Sequence, residues 1–379
     1  MPQRARTVQK VTGRRIVLAG GGTGGHIEPM LAVADALRLR DPEGSLTCIG
    51  TARGLEVDLV PARGYDLRLI PPVPLPRKPT LDLLRVPGRL WGSVRAAGAI
   101  LRATRAEVLV GFGGYVALPA YLAARRAHVP IVVHEQNAVP GLANRIAARF
   151  ASVVAVTFPG TPLSGAEVVG MPLRPEIAEL DRHAVRAMAR QHFGLALDRP
   201  TLLVFGGSQG ARKVNTALAA AVDGLRAKGI QILHGVGPKN VPPPQTDTSS
   251  RLAPYVALPY LERMDLAYAA ADLALCRAGA VTCAELSAVG LPAVFVPLPI
   301  GNGEQRHNAE PVIAAGGGLL VDDPDLTPDF LMDTVAALLL DAARLCEMAT
   351  ATARLGRRNA APRMASLVLS AAQENRPLT

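Results

Sequence analysis

RRIVLAGGGTGGH (residues 14–26) decides the fold. The apolar run Ile16-Val17-Leu18-Ala19 ends in glycines, and an Ala- and Leu-rich stretch of helical period follows His26. Strand, glycine turn and helix are the opening unit of a doubly wound α/β domain. The same device returns at RPTLLVFGGSQGA (residues 199–211). A chain of 379 residues is too long for one small domain and suits two. The two openings therefore predict two doubly wound domains, residues 1–172 and 173–379, joined near GMPLRP (170–175).

Around these openings, short β-branched runs alternate with Ala/Leu/Arg segments of helical period. Residues 15–19, 46–50, 108–111, 131–134 and 152–156 read as strands of the first half. Residues 201–205, 231–235, 273–276, 293–297 and 318–321 read as strands of the second. Such alternation predicts parallel sheets covered by helices. A ligand is expected at the carboxyl ends of the strands, between the domains. VPPPQTDTSS (241–250) reads as a surface loop, and the tail after about residue 376 as frayed.

Composition narrows the function. Apolar residues make up 49% and charged residues 19%, which supplies a large core and excludes wholesale disorder. Aromatic residues are only 4%, against a base-stacking nucleic-acid binder. The net charge is +10, and all of it lies in residues 1–170, which hold 21 basic and 11 acidic residues. One half is expected to face an anionic partner. Cys48, Cys276, Cys283 and Cys346 show no zinc-pair spacing and are expected to be reduced cytosolic thiols. The basic N-terminus lacks an apolar signal core, and the longest apolar stretch, 108–124, falls short of a membrane span. A soluble cytoplasmic protein is expected.

The glycine loops carry the chemistry. Gly20-Gly21-Gly22-Thr23-Gly24-Gly25 brings backbone close to a ligand, and the helix behind it offers free N–H groups and a positive dipole. No Lys-Ser/Thr follows, so it is not a P-loop, and Cys48-Ile49-Gly50-Thr51 supplies no acidic residue for a nicotinamide ribose. Gly206-Gly207-Ser208-Gln209-Gly210 and Gly111-Phe112-Gly113-Gly114-Tyr115 repeat the device. One such loop reads equally as a tight turn; three at strand ends predict a phosphate-bearing ligand.

GGGTGGHIEP (20–29), GFGGYVALPAYLAA (111–124), HEQNAVPGLANR (134–145), EVVGMPLR (167–174), FGGSQGA (205–211), CRAGAVTCAELSAVGLPAVFVPLP (276–299) and GEQRHNA (303–309) occur in this order. Together they resemble the MurG family of bacterial peptidoglycan glycosyltransferases over about residues 14–365. The resemblance implies a GT-B fold of two Rossmann-like domains facing a cleft, with the last helix, about 355–375, returning to the N-terminal domain. It implies inverting transfer of N-acetylglucosamine from UDP-GlcNAc, held by the C-terminal domain. The acceptor is the C4 hydroxyl of undecaprenyl-diphosphate-linked muramoyl-pentapeptide (lipid I), held by the N-terminal domain, and the products are lipid II and UDP. The implied place is the cytoplasmic face of the plasma membrane, peripherally bound. The implied partners are other cell-wall synthesis and division proteins, and no nucleic acid. No cofactor is implied: UDP-GlcNAc is a substrate, and Mg²⁺ would stimulate without being ligated by this chain.

Site residues follow by the same resemblance. Ser208, with Gln209 and Gly210, would hold the pyrophosphate, and Ala280, Val281 and Thr282 open the helix that presents Glu285 to the ribose. The backbone of Leu261 would meet uracil, and Gln305 the sugar hydroxyls. Glu304 replaces an amide or histidine found in several relatives, and a carboxylate can only accept hydrogen bonds. Arg174 would reach the donor from the link. Thr23, Gly24 and Gly25 would face the acceptor diphosphate and the transferred sugar, and Asn137 the sugar or the acceptor. His26 is the candidate general base, with phosphate binding or loop capping as its alternative role. Glu135 is a second candidate base or orienter, unless it simply ends a buried strand. Asp323-Pro324-Asp325 has the D-x-D form of some metal sites but reads as a solvated turn.

RKPTLDLLRVPGRLWGSVRAAGAILRATR (77–105) holds seven basic residues and one acidic one. Arg85, Arg89, Leu84, Leu90 and Trp91 suit docking to an anionic membrane surface, with Val94 and Leu101 counted on the same apolar part. Rival readings are a GT-B transferase for another lipid, a UDP-sugar 2-epimerase, and a non-catalytic nucleotide-sugar scaffold. The acceptor-side motifs argue against the first, the basic docking segment against the second, and His26, Ser208, Glu285 and Gln305 together against the third.

Overall fold

The computed structural model describes residues 13–73, 86–207, 210–240, 252–300 and 302–374. The chain forms two compact units: residues 1–134, 141–155 and 361–379 make the first, and 135–140 with 156–360 the second.

The first sheet contains β1 (Arg15–Ala19), β2 (Ser45–Gly50), β3 (Asp66–Leu69), β4 (Val108–Gly111), β5 (Ile131–Glu135), β6 (Val153–Val156) and β7 (Glu167–Val168). Its order is β3-β2-β1-β4-β5-β6-β7. The pairings from β3 through β5 are parallel. β1, β4 and β5 are buried almost end to end. That is why their sequences are continuous apolar runs rather than alternating ones: helices cover both faces.

The second sheet contains β8 (Thr201–Phe205), β9 (Gln231–Gly235), β10 (Tyr255–Leu258), β11 (Leu273–Cys276), β12 (Ala293–Phe295) and β13 (Gly318–Leu320). Its order is β10-β9-β8-β11-β12-β13, and every pairing is parallel. Apolar clusters lie on its two faces, one built on Leu203, Phe205, Tyr268 and Leu286, the other on Leu202, Val204, Leu218 and Leu331.

In both sheets the order reverses direction beside the first strand, at β1/β4 and at β8/β11. Loops leaving the carboxyl ends of two such strands diverge to opposite faces and open a crevice. Those loops are Gly20–His26 with Gly111–Tyr115, and 206–211 with 277–279, the glycine stretches of the sequence. β3, β7 and β10 are absent from the sequence expectation, and all three are sheet edges. β3 carries one half-buried residue among exposed ones, and β7 is half-buried throughout. Neither shows the apolar run that marks a central strand.

Candidate active site

In the first unit the helix Gly24–Arg40 starts directly behind the first glycine loop. The Thr23 carbonyl accepts from the His26 and Ile27 amides, leaving the Gly24 and Gly25 N–H groups without an acceptor among the described residues. A Cβ added at Gly24 would meet nothing within 4 Å. This is the open face of an anion cradle, with two amides and a helix dipole behind it.

The floor of the cradle is Glu56, which the sequence motifs do not single out. Its carboxylate is fully buried. Oε2 accepts the Gly22 N–H at 3.0 Å, and Oε1 accepts the Thr51 N–H at 2.9 Å and its hydroxyl at 3.1 Å. Three donors make a charged, buried acid tolerable. Gly21 has no alternative here, since a Cβ would lie 2.6 Å from Glu56 Oε1. Glu56 opens the helix Glu56–Ala62, and only its place just after β2 in GTARGLE marks it in the sequence.

His26 is half-buried, and its Nδ1 lies 3.0 Å from Thr23 Oγ1. Burial pulls the imidazole down to about 4, against the opposing pull of the Glu56 charge. It is therefore neutral at physiological pH and can accept a proton. The ring also stands 3.7 Å from where a Gly114 Cβ would be, so the third glycine loop packs beside the first.

In the second unit, Glu285 sits on the helix Ala280–Val289, capped by Gly279. The Cys283 N–H is taken by the Gly279 carbonyl, so Ala280, Val281 and Thr282 present amides with no backbone acceptor among the described residues. Glu285 is buried; Tyr268 donates its hydroxyl to Oε2 at 2.8 Å, and Arg174 lies 3.6 Å from Oε1. Arg174 and Glu285, expected separately at the donor, thus meet each other. Gln305 Oε1 accepts from the Ala278 amide at 3.2 Å and the Leu298 amide at 3.0 Å. Its carboxamide N–H groups remain for a ligand. Glu304 is half-buried in the same first turn, its own N–H held by Asn302.

Residues 135–140 group with this unit. Glu135 is buried and accepts the Asn137 N–H at 2.9 Å. Asn308 ties the segment down: its Oδ1 accepts the Ala138 N–H at 2.9 Å, and its Nδ2 donates to Asn137 Oδ1 at 3.2 Å and to the Ala278 carbonyl at 3.3 Å. Asn308 lies within GEQRHNA, but nothing in the sequence distinguishes its role. Leu261 buries its side chain against Gly235.

Gly210 follows Ser208 and Gln209, which lie outside the described residues. Its φ of 75° is left-handed, and a Cβ would stand 2.3 Å from the Val236 carbonyl. Asn215 and Asn240 donate to that carbonyl at 2.9 and 2.8 Å.

Two expectations change. Asp323 of the D-x-D string is not a merely solvated turn residue: Arg277 pairs with it while also donating to the Val296 and Pro297 carbonyls. The apolar part of 77–105 divides. Val94 and Leu101, on the helix Val86–Thr104, enter the core. Leu90 packs partly against that core, and Trp91 stays 50% exposed under the Arg126 guanidinium. Arg89 is half-buried, and Leu84 and Arg85 lie outside the described residues. Among the described residues, no helix is long and apolar enough to cross a membrane.

Two doubly wound units, each with glycine loops at its switch point, have the architecture of the GT-B class of glycosyltransferases. The chain belongs to glycosyltransferase family 28: residues 16–156 match the family's N-terminal domain and 201–364 its C-terminal domain. It is 60% identical over 356 residues to the UDP-N-acetylglucosamine--N-acetylmuramyl-(pentapeptide) pyrophosphoryl-undecaprenol N-acetylglucosamine transferase of Streptomyces avermitilis, covering 94% of this chain and 98% of that one. The enzyme of the same name from Nocardioides is 59% identical, covering 94% and 97%. The crystal structure of Acinetobacter baumannii MurG superposes with a TM-score of 0.75 at 30% identity, over 94% of this chain and 99% of that one.

Proposed function

We propose that this chain transfers N-acetylglucosamine from UDP-GlcNAc to the muramoyl sugar of undecaprenyl-diphosphate-linked muramoyl-pentapeptide, in peptidoglycan synthesis. The observation that carries the reading is identity of about 60% along nearly the whole chain to enzymes of that name.

The C4 hydroxyl of the acceptor attacks C1 of the N-acetylglucosamine with inversion. The C1–O bond to UDP breaks, UDP keeps the electron pair, and the hydroxyl proton passes to a base. His26 suits that role, because it is neutral and the Glu56 carboxylate stabilises the imidazolium once the proton arrives. Glu135 is held by Asn137 and fits an orienting role better than that of a base. The leaving diphosphate gains charge as the bond breaks, and the amides of Ala280, Val281 and Thr282 at the start of their helix oppose it without a metal. Glu285 takes the ribose hydroxyls, and Gln305 donates to the sugar.

No resident cofactor is required by this reading, so EDTA is expected to lower turnover only to the extent that added Mg²⁺ stimulates it. The enzyme docks peripherally on the cytoplasmic face of the membrane through Trp91 and the arginines around it.

Incubation with UDP-GlcNAc or UDP-glucose, each with and without lipid I, tests the reading. UDP release only with UDP-GlcNAc plus lipid I supports it. Release without the acceptor, or equal use of UDP-glucose, overturns it.

A further inference from the structure

The helix Arg182–His192 places Arg182, Arg186 and Arg190 on one face, at i, i+4 and i+8. Arg186 and Arg190 share one carboxylate, Asp272, which accepts from Arg186 Nη2 at 2.5 Å, Arg190 Nη2 at 2.9 Å and the Thr201 N–H at 2.8 Å. Arg182 donates instead to the carbonyls of Tyr268, Ala271 and Gly290, at 3.0, 2.6 and 2.8 Å. Arg190 gives its own to Ala270 and Leu197. These two are staples on orphan carbonyls. Arg186 is different: among the described residues Asp272 is its one hydrogen-bond partner, which leaves most of its guanidinium donors unused.

A cavity of about 900 Å³ opens against this face. Its lining also includes the apolar side chains of Leu339, Leu340, Leu345, Ala349 and Leu197. Leu197 and Leu340 are 54% and 56% exposed. The cavity is on the far edge of the second sheet from the donor loops, because the lining residues Pro200, Asp272 and Pro292 immediately precede β8, β11 and β12. Positive charge is in surplus there. Burial first, and then the Arg186 charge, pull Arg182 down to about 10, and the same causes lower Arg190.

We propose that this cavity binds an organic phosphate, with the phosphate on the free donors of Arg186 and the apolar body along the leucine wall. A planar guanidinium with spare N–H groups matches phosphate oxygens pairwise. A cavity of this size holds a molecule larger than a bare ion. Structural stapling accounts for Arg182 and Arg190, but for neither the unused donors of Arg186 nor the exposed Leu197 and Leu340 that line the same cavity.

The test is calorimetric titration of the full chain with the donor loops first saturated by UDP. The probes are inorganic phosphate, AMP and monomeric dihexanoyl phosphatidic acid. At least one organic phosphate is expected to bind at one site per chain despite UDP, and more tightly than inorganic phosphate. Arg186→Gln, which leaves Asp272 to Arg190 and Thr201, is expected to weaken that binding about tenfold or more. Leu340→Asp, at an exposed position that folding tolerates, is expected to weaken it as well. The tighter of AMP and the lipid identifies the source. Absence of binding in the presence of UDP, or equal affinity in both variants and the wild type, overturns the proposal. Equal affinity for inorganic phosphate overturns the role of the apolar wall.

Discussion

The two glycine loops each follow the first strand of a sheet and differ in what lies beneath them. Under the first is a charged, buried carboxylate, Glu56, whose oxygens are taken by Gly22 and Thr51. Under the second is a neutral carbonyl, that of Val236, held by Asn215 and Asn240 and touched by Gly210. The carboxylate beneath the first loop, its oxygens taken up by Gly22 and Thr51, stabilises a cation formed above it while the Gly24 and Gly25 amides still face outward. A neutral floor leaves the amides and helix dipole free to favour negative charge. Under the proposed function, the first loop would receive a proton on His26, and the second would face a diphosphate that gains charge.

The sharpest way to break the contrast is His26→Ala. If the first loop is the proton-accepting one, kcat is expected to fall by about 10²- to 10⁴-fold, while KM for UDP-GlcNAc stays within about twofold. Steady-state kinetics with purified lipid acceptor reads both. Near-normal turnover, or a loss confined to donor KM, would erase the distinction between the loops.

Glu56→Gln comes next. The amide is nearly isosteric but offers one acceptor oxygen where the carboxylate uses two, so an –NH₂ must face a backbone N–H. Loss of about 1–3 kcal/mol of stability is expected from a buried donor left unpaired, together with a fall in kcat, because the imidazolium loses its counter-charge. Urea melts and turnover separate the two effects. A variant as stable and active as the wild type would mean the floor of the first loop is inert.

Glu56 also marks the limit of what the sequence discloses. Central strands were legible because burial on both faces forces apolar runs: β1, β4, β8, β9 and β11 match their expected bounds to the residue. Edge strands β3 and β7 were not, since an edge is half solvated and keeps polar residues, whereas β10 (Tyr255–Leu258) carries an apolar run that the sequence expectation leaves out. The glycine loops were legible because close backbone approach has only one residue to use. Their supports were not. A glutamate at a helix start, a tyrosine within an Ala-rich helix and an asparagine one turn past Gln305 look like ordinary residues, and only folding reveals Glu56, Tyr268 and Asn308 as the groups that fix the site. Likewise Val94 and Leu101 share an amphipathic stretch with Trp91, and period alone could not tell which apolar side chains face the core.

A smaller effect concerns His234, beneath the second loop. It is buried, bonded to Tyr255 at 2.9 Å and Asn215 at 3.1 Å, and burial holds it down at about 4. In the unfolded chain an ordinary histidine titrates near 6.5. As pH falls from 6.5 towards 4, the unfolded state takes up a proton that the folded state refuses. Stability is therefore full above 6.5 and is lost through that window, by at most about 1.4 kcal/mol per pH unit. His234→Gln is expected to flatten its share of the slope in urea melts taken from pH 7 to 4.5. His26 is depressed in the same direction, so His26→Ala should also flatten the slope. An unchanged slope in both variants would mean that neither histidine is desolvated as the folded geometry requires.

The smallest expected effect is that of Tyr268→Phe. The Tyr268 ring is buried and packs edge-on to Phe205 at 6.1 Å, while its hydroxyl donates to Glu285 at 2.8 Å. Removing the hydroxyl leaves the ring in place and the fold intact. Glu285 keeps Arg174 at 3.6 Å but loses the donor that fixes Oε2. A carboxylate freed to turn towards Arg174 is less prepared for the ribose, and the cost of re-ordering it falls on binding. KM for UDP-GlcNAc is expected to rise about threefold to tenfold, an indirect cost of about 1 kcal/mol, with kcat nearly unchanged. A fall in kcat with unchanged KM would move Glu285 from holding the nucleotide to acting in the displacement, and would blur the division of labour between the two loops.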